Sequence, residues 1–252
     1  MPLTGTRDFS SLLREAPLLD GFGTEPWPLE RAEILQVMFE IDDAVMTSLL
    51  PPALHPTIPP VAIFSVTRFP ESPVGPFLLA QVRAGCRAGV RPRGFLLRAY
   101  ADTGPACEAL SSRWGFDCRP GEVALRRYHD RVEGRVRAGG RDVLSIAIID
   151  PQAISGGDIQ YVANMNLART VESGKERGVL VQVDPEYTFH RAERGRPQVD
   201  VFDRDAWNAG GVDPVWPVSG CYALCDTGLP RIRYVSDPAL PAIAGTRAVN
   251  KA

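Results

Sequence analysis

The 252 residues, 44% hydrophobic and 23% charged with a net charge of −2, have the composition of a globular chain with ample apolar material for a core. That balance argues against a nucleic-acid or acidic-membrane partner, since either calls for a basic face to displace counterions. The longest mostly apolar run, Val143 to Ile149, is too short to span a bilayer, and no basic-then-apolar segment opens the chain, so the expected location is the cytoplasm.

Residues 1–26 read as an irregular arm with one amphipathic piece, Phe9 to Glu15, and the prolines flanking Trp27 stop any helix there. Glu33 to Phe39 is β-prone. Asp42 and Asp43 offer an N-cap for a short helix over Ala44 to Leu50, which Pro51 and Pro52 end. Strands are expected at Val61 to Thr67, Phe77 to Val82 and Gly94 to Tyr100. Thr103-Gly104-Pro105 then opens a helix reaching Arg113, with proline in the favoured first turn.

Beyond that helix the pattern is β throughout. Glu122 to Tyr128, Arg131 to Arg137 and Asp142 to Ile149 are joined by turn residues at His129-Asp130 and Gly139-Gly140. Further strands are expected at Tyr161 to Arg169, Gly178 to Val183, Glu186 to His190, Gln198 to Phe202, Gly220 to Cys225 and Ile232 to Tyr234. About a dozen short strands at near-regular spacing argue for a barrel or sandwich. No long linker divides the chain, which makes residues 27–240 one β-rich domain with two or three short helices and leaves 241–252 as a tail.

Cys86, Cys107, Cys118, Cys221 and Cys225 are scattered, odd in number and without a C-x-x-C pair, as expected of reduced thiols rather than disulfides or a zinc site. Three histidines are too few for a His-rich metal site. No phosphate-cradling or metalloprotease motif is present, so no cofactor or metal is expected. Lysine occurs only at Lys175 and Lys251, and Lys175 lies in the polar turn segment Glu172 to Gly178.

The stretch Trp114-Gly-Phe-Asp-Cys-Arg119, between the helix and the next strand, resembles the Trp-Gly-(Phe/Tyr)-Pro-Lys-Lys segment of the acetoacetate decarboxylase superfamily. Weaker matches follow in the same order. Phe39 to Asp42 leading to Leu50-Pro-Pro-Ala-Leu54 is similar to a strand, helix and proline turn of that family, and Gly75-Pro-Phe77 to its G-P-Y segment. Tyr161 to Leu167, Glu186 to Gly195 and Leu229-Pro-Arg231 resemble its P-N-x-x-L strand, E-x-W-x-G strand and L-P-R turn. The resemblance implies a closed β-barrel around a largely apolar substrate cavity, a small-molecule substrate and a homo-oligomer.

It also implies which positions carry chemistry, and there the chain departs from the pattern. The Schiff-base lysine falls on Cys118, the second lysine on Arg119, and a glutamate past the G-P-(Y/F) aromatic on Leu79. A thiol cannot form the iminium that such decarboxylation needs. The frame leaves Cys118, Arg119 and His190 as catalytic candidates. Arg31, beside the position of the family's substrate-binding arginine, joins Phe77, Leu79, Trp114, Phe116, Asn164 and Asn166 as expected substrate-binding residues.

Each catalytic candidate has two readings. Cys118 is a nucleophile or proton carrier, or a small apolar filler; Arg119 holds a carboxylate, or pairs with Asp117 or Glu122; His190 is an acid–base group, or structural. For the whole chain the first expectation is lyase, isomerase or cyclase chemistry on a keto, enol or polyketide-like compound of a specialised pathway. The second is a non-catalytic barrel that binds a hydrophobic small molecule.

Overall fold

The computed structural model describes residues 3–89 and 91–250, so the outer two residues of the expected arm and of the expected tail, Lys251 included, lie outside the described residues. The first half holds α1 (Phe9–Glu15), β1 (Trp27–Glu40), α2 (Asp43–Leu49), β2 (His55–Pro56), β3 (Val61–Phe69), β4 (Phe77–Ala88), β5 (Arg91–Ala101), α3 (Gly104–Trp114) and β6 (Cys118–Pro120). The second holds β7 (Glu122–Arg127), β8 (Arg131–Ala138), β9 (Arg141–Ala153), β10 (Ala163–Glu172), β11 (Lys175–Val183), β12 (Thr188–Phe202), β13 (Trp216–Leu229), β14 (Tyr234–Ser236), α4 (Ala242–Gly245) and β15 (Thr246–Ala248).

Local chemistry sets the helices. The Asp42 carboxylate accepts from the Ala44 and Val45 amides at the start of α2, and the Thr103 hydroxyl accepts from Ala106 at the start of α3. Gly115 ends α3 at φ 71°, a left-handed conformation that glycine adopts without strain. Two expected strands, Glu186 to His190 and Gln198 to Phe202, are one: register shifts at 189–191, 194–196 and 199–201 let β12 run through Gly195 and Pro197.

The described strands form a single fifteen-stranded sheet in the order β15-β14-β11-β10-β5-β4-β3-β1-β13-β12-β9-β8-β7, with β2 added on β4 and β6 on β5. The expected closed barrel is corrected here, because the two ends of this ladder do not pair. The edge strand β7 carries exposed Glu122, Arg126 and Arg127, side chains that keep a strand edge solvated, and β15 is three exposed residues. Instead the sheet curls until β7 and β8 lie across the face of β3, β4 and β5.

That curl buries both faces of the central strands. Val37, Phe64, Val66 and Val82 pack with Leu125, Val136 and Ile146 in one core, while Ile34, Phe77 and Leu79 face a second core with α3 and β11. At Gly134 the layers come so close that an added Cβ would stand 2.6 Å from a Val66 methyl. Gly134→Ala is therefore expected to lower the unfolding free energy by about 2 kcal/mol. A denaturant midpoint equal to that of the parent would show that β8 does not press on β3.

Candidate functional site

The second face of β1, β3 and β4 is where the chain builds a pocket. Register places Gln36 opposite Ser65 and Ser65 opposite Gln81, a polar row across three strands; the adjacent row is Ile34, Thr67 and Leu79. Around these rows stand Phe69, Phe116, Val183, Pro185, Leu29 and Leu229, and the cavity between them has a volume of about 70 Å³. The result is an apolar cavity with a polar floor, the usual design of a small-molecule site.

At that floor lies Arg83, 5% exposed. One terminal nitrogen donates to the Val162 carbonyl (2.9 Å) and to Asn164 Oδ1 (2.8 Å); the other donates to Gln36 Oε1 (3.1 Å), with Ser65 Oγ at 3.5 Å. Asn164 in turn donates to Gln81 Oε1 at 2.6 Å. Arg83 Nε is buried and makes no hydrogen bond. Every partner is neutral: among the described residues no carboxylate lies within ion-pair distance of Arg83. Burial pushes its pKa down to about 10, an effect only partly opposed by Tyr187 and Tyr161. A buried cation without a counter-ion is costly, and it leaves the pocket with an uncompensated positive charge.

Tyr161 and Tyr187 complete the wall, their ring centroids 5.1 Å apart. The Tyr161 hydroxyl donates to the Ile34 carbonyl at 3.1 Å. Burial raises the pKa of both phenols, so both remain protonated donors at neutral pH. The described lining includes no carboxylate, amine, imidazole or thiol.

Of the residues expected from sequence, Leu79, Phe116 and Asn164 line this pocket. Cys118, expected to face the cavity, is outside its lining, and its thiol reaches Cys107 Sγ at 3.4 Å. Arg119 is exposed and pairs with Asp117 (3.1 Å) and Glu15 (3.7 Å). His190 is also at the surface, its Nε2 2.8 Å from Asp226 Oδ2, and Arg31 is an exposed residue at a bulge of β1 with φ 52°. Phe77 packs on Phe69 with centroids 4.8 Å apart. Trp114 is fully buried and donates to the Pro230 carbonyl, and Asn166 is buried and donates to the Trp114 carbonyl.

Sequence reading passed over Arg83, Gln36, Gln81, Ser65, Thr67, Tyr161 and Tyr187. A signal existed: Gln81 and Arg83 stand two apart along a segment otherwise apolar on both faces, and Gln36 is a single polar residue within the apolar run Ile34 to Val37.

A curled, mainly β sheet that encloses one pocket wall with a lone buried cation defines a class of protein with an internal, small-molecule-sized site. The family model described as acetoacetate decarboxylase (ADC) matches residues 10–237, and the chain belongs to that family. The fold agrees. An acetoacetate decarboxylase from Legionella pneumophila superposes with a TM-score of 0.74 at 17% identity, over 85% of this chain and 88% of that one. An acetoacetate decarboxylase-like enzyme from Sphingomonas wittichii RW1 gives 0.69 at 16%, over 82% and 91%.

The enduracididine biosynthesis enzyme MppR, in complex with the condensation product of pyruvate and imidazole 4-carboxaldehyde, gives 0.66 at 18%, over 81% and 87%; it is also known in complex with pyruvate. At these identities the likeness is one of fold. No curated protein sequence matches the chain. Among the described residues no helix is long and apolar enough to cross a membrane.

Proposed function

We propose that the pocket binds a small keto or enol carboxylate and that the protein is an enzyme of the family working without a Schiff base, by lyase, isomerase or cyclase chemistry in a specialised pathway. The observation that carries this reading is Arg83: a fully buried guanidinium, ringed by neutral acceptors, at the floor of an apolar cavity. A ligand carboxylate is the group that would compensate it. Gln36, Gln81 and Asn164 would orient the ligand, and the neutral Tyr187 hydroxyl would donate to oxygen as negative charge develops there, while the Tyr161 hydroxyl stays committed to the Ile34 carbonyl. Pyruvate bound to MppR is a carboxylate of the proposed class. The proposed setting is a cytoplasmic homo-oligomer.

The test is calorimetric titration with pyruvate and acetoacetate against their methyl esters. Acids that bind at least tenfold more tightly than esters support the reading, and equal affinities sink it. Binding should also be nearly flat below pH 9 and vanish as pH passes about 10, where Arg83 in the unliganded site loses its proton. A midpoint near neutrality would mean that another group holds the anion.

A second reading, a non-catalytic carboxylate binder, is favoured by one fact: the described lining holds no side chain that changes protonation near neutral pH. Recovery of the ligand chemically unchanged after long incubation supports the binder. Loss of carbon dioxide, proton exchange into solvent deuterium, or ring closure supports the enzyme.

A further inference from the structure

We propose that Cys107 and Cys118 form a reversible thiol–disulfide modification site that accepts a low-molecular-weight disulfide as oxidant and, once closed, fixes the α3–β6 segment that carries Phe116 into the wall of the pocket. The sulfurs lie 3.4 Å apart and unbonded, so a further approach of about 1.4 Å reaches the length of a disulfide. Cys107 sits in the first turn of α3 with its sulfur 3.8 Å from the Ala101 carbonyl, and Cys118 lies in register with Ala99 on the same strand, β5. The pair therefore spans the two ends of one short loop of structure: helix, Gly115 turn and Phe116, whose ring lines the pocket and whose carbonyl accepts from the Cys118 amide.

Access and acidity are divided between the two sulfurs. Cys118 is partly exposed, and Cys107 lies behind it. The Cys118 thiol donates to Cys107, which lowers the Cys107 pKa and, together with burial, raises that of Cys118. The remaining cysteines differ: burial pushes Cys86 to about 12, Cys221 to about 11 and Cys225 to about 12. They have no cysteine partner at bonding range among the described residues.

The chemistry is ordinary exchange. One thiolate of the pair attacks the oxidant RSSR, forming a mixed disulfide and releasing RS⁻. The second attacks the protein sulfur of that mixed disulfide, forming the Cys107–Cys118 bond and expelling another RS⁻. Two protein thiols are oxidised, one RSSR is reduced to two RSH, and the protons of the protein thiols leave on the products.

The test is incubation of the full chain with oxidised glutathione, followed by alkylation and peptide mapping. Expected is the loss of two thiols, a joined pair of peptides carrying Cys107 and Cys118, and full recovery with dithiothreitol. Retention of all five thiols, or a link through Cys86, Cys221, Cys225 or a second chain, overturns the proposal. Cys107→Ser should stop at a glutathione adduct on Cys118, but mapping of the parent chain decides the matter even where that variant folds poorly.

Hydrogen exchange then tests the wall: amides of residues 104–118 should exchange on the order of tenfold more slowly once the bond has formed. Unchanged exchange there overturns the fixing of the wall. Neither readout uses a pocket ligand, so a failed carboxylate titration and a failed oxidation are separate results.

Discussion

Replacing Arg83 by methionine is expected to weaken carboxylate binding by on the order of a hundredfold, about 3 kcal/mol, while the protein remains folded. The first half follows from charge: the described lining offers no other cation, and its remaining polar groups are amides, hydroxyls and phenols that serve a neutral ligand as well as an anion. The second half follows from what Arg83 does to the empty protein. Its pKa is about 10 when folded against 12.5 for an unburied guanidinium, so at neutral pH keeping the cation buried opposes folding by roughly 3 kcal/mol.

The sign is that of a base whose folded pKa is depressed. The penalty is fully present below pH 10 and is relieved between about 10 and 12.5, where the folded chain has lost the proton that the unfolded chain keeps. Methionine removes the penalty but strands Gln36 Oε1, Asn164 Oδ1 and the Val162 carbonyl, each at a cost of about 1–1.5 kcal/mol. The two effects nearly offset each other, and unfolding by urea should show a change within about 2 kcal/mol. Gln81→Glu is the complementary variant, because Asn164 hydrogen-bonds both Gln81 and Arg83. A carboxylate built in there should compete with the ligand, and unaltered affinity in both variants would remove Arg83 from the site.

Helices α2 and α3 were legible because their signals are local, whereas α4, in the expected tail, has no side-chain cap to announce it. Asp42, Thr103, Pro105 and Gly115 fix the ends of α2 and α3 whatever the rest of the chain does. Strand positions were legible from alternation and turn residues for the same reason. Whether the sheet closes was not, since closure depends on whether β7 and β15 meet, and each edge is specified only by short, charged or exposed residues.

The site was legible in part. The family frame led to Leu79, Phe116 and Asn164 in the pocket, and it led away from Arg83 by directing attention to the position of the missing lysine. Arginine is read as a surface residue by default. Only register shows that Arg83 stands one step beyond the Gln36–Ser65–Gln81 row, under the second core. His190 and Arg119 stand elsewhere: sequence order puts them near family site segments, and in the fold they pair with Asp226 and Asp117 at the surface.

Trp114→Ala is expected to cost about 4 kcal/mol of stability and to lower the melting temperature by about 8 °C. Trp114 is fully buried, its ring meets Trp27 edge-on at 5.0 Å, and the Arg113 guanidinium lies 5.0 and 5.2 Å from the two ring centroids. Alanine would leave a cavity and strip the Pro230 carbonyl of its donor. Trp114→Phe keeps most of the ring and loses that hydrogen bond, so a loss of about 1–2 kcal/mol separates the polar contact from the packing.

Because Phe116 follows Trp114 by two residues and lines the pocket, the alanine variant should also bind carboxylate more weakly, though less so than Arg83→Met. A Trp114→Ala protein that melts with the parent but loses its ligand would reverse this order of causes. The tryptophan would then belong to the binding surface itself, as the family resemblance implied, and not to the core that holds Phe116 in place.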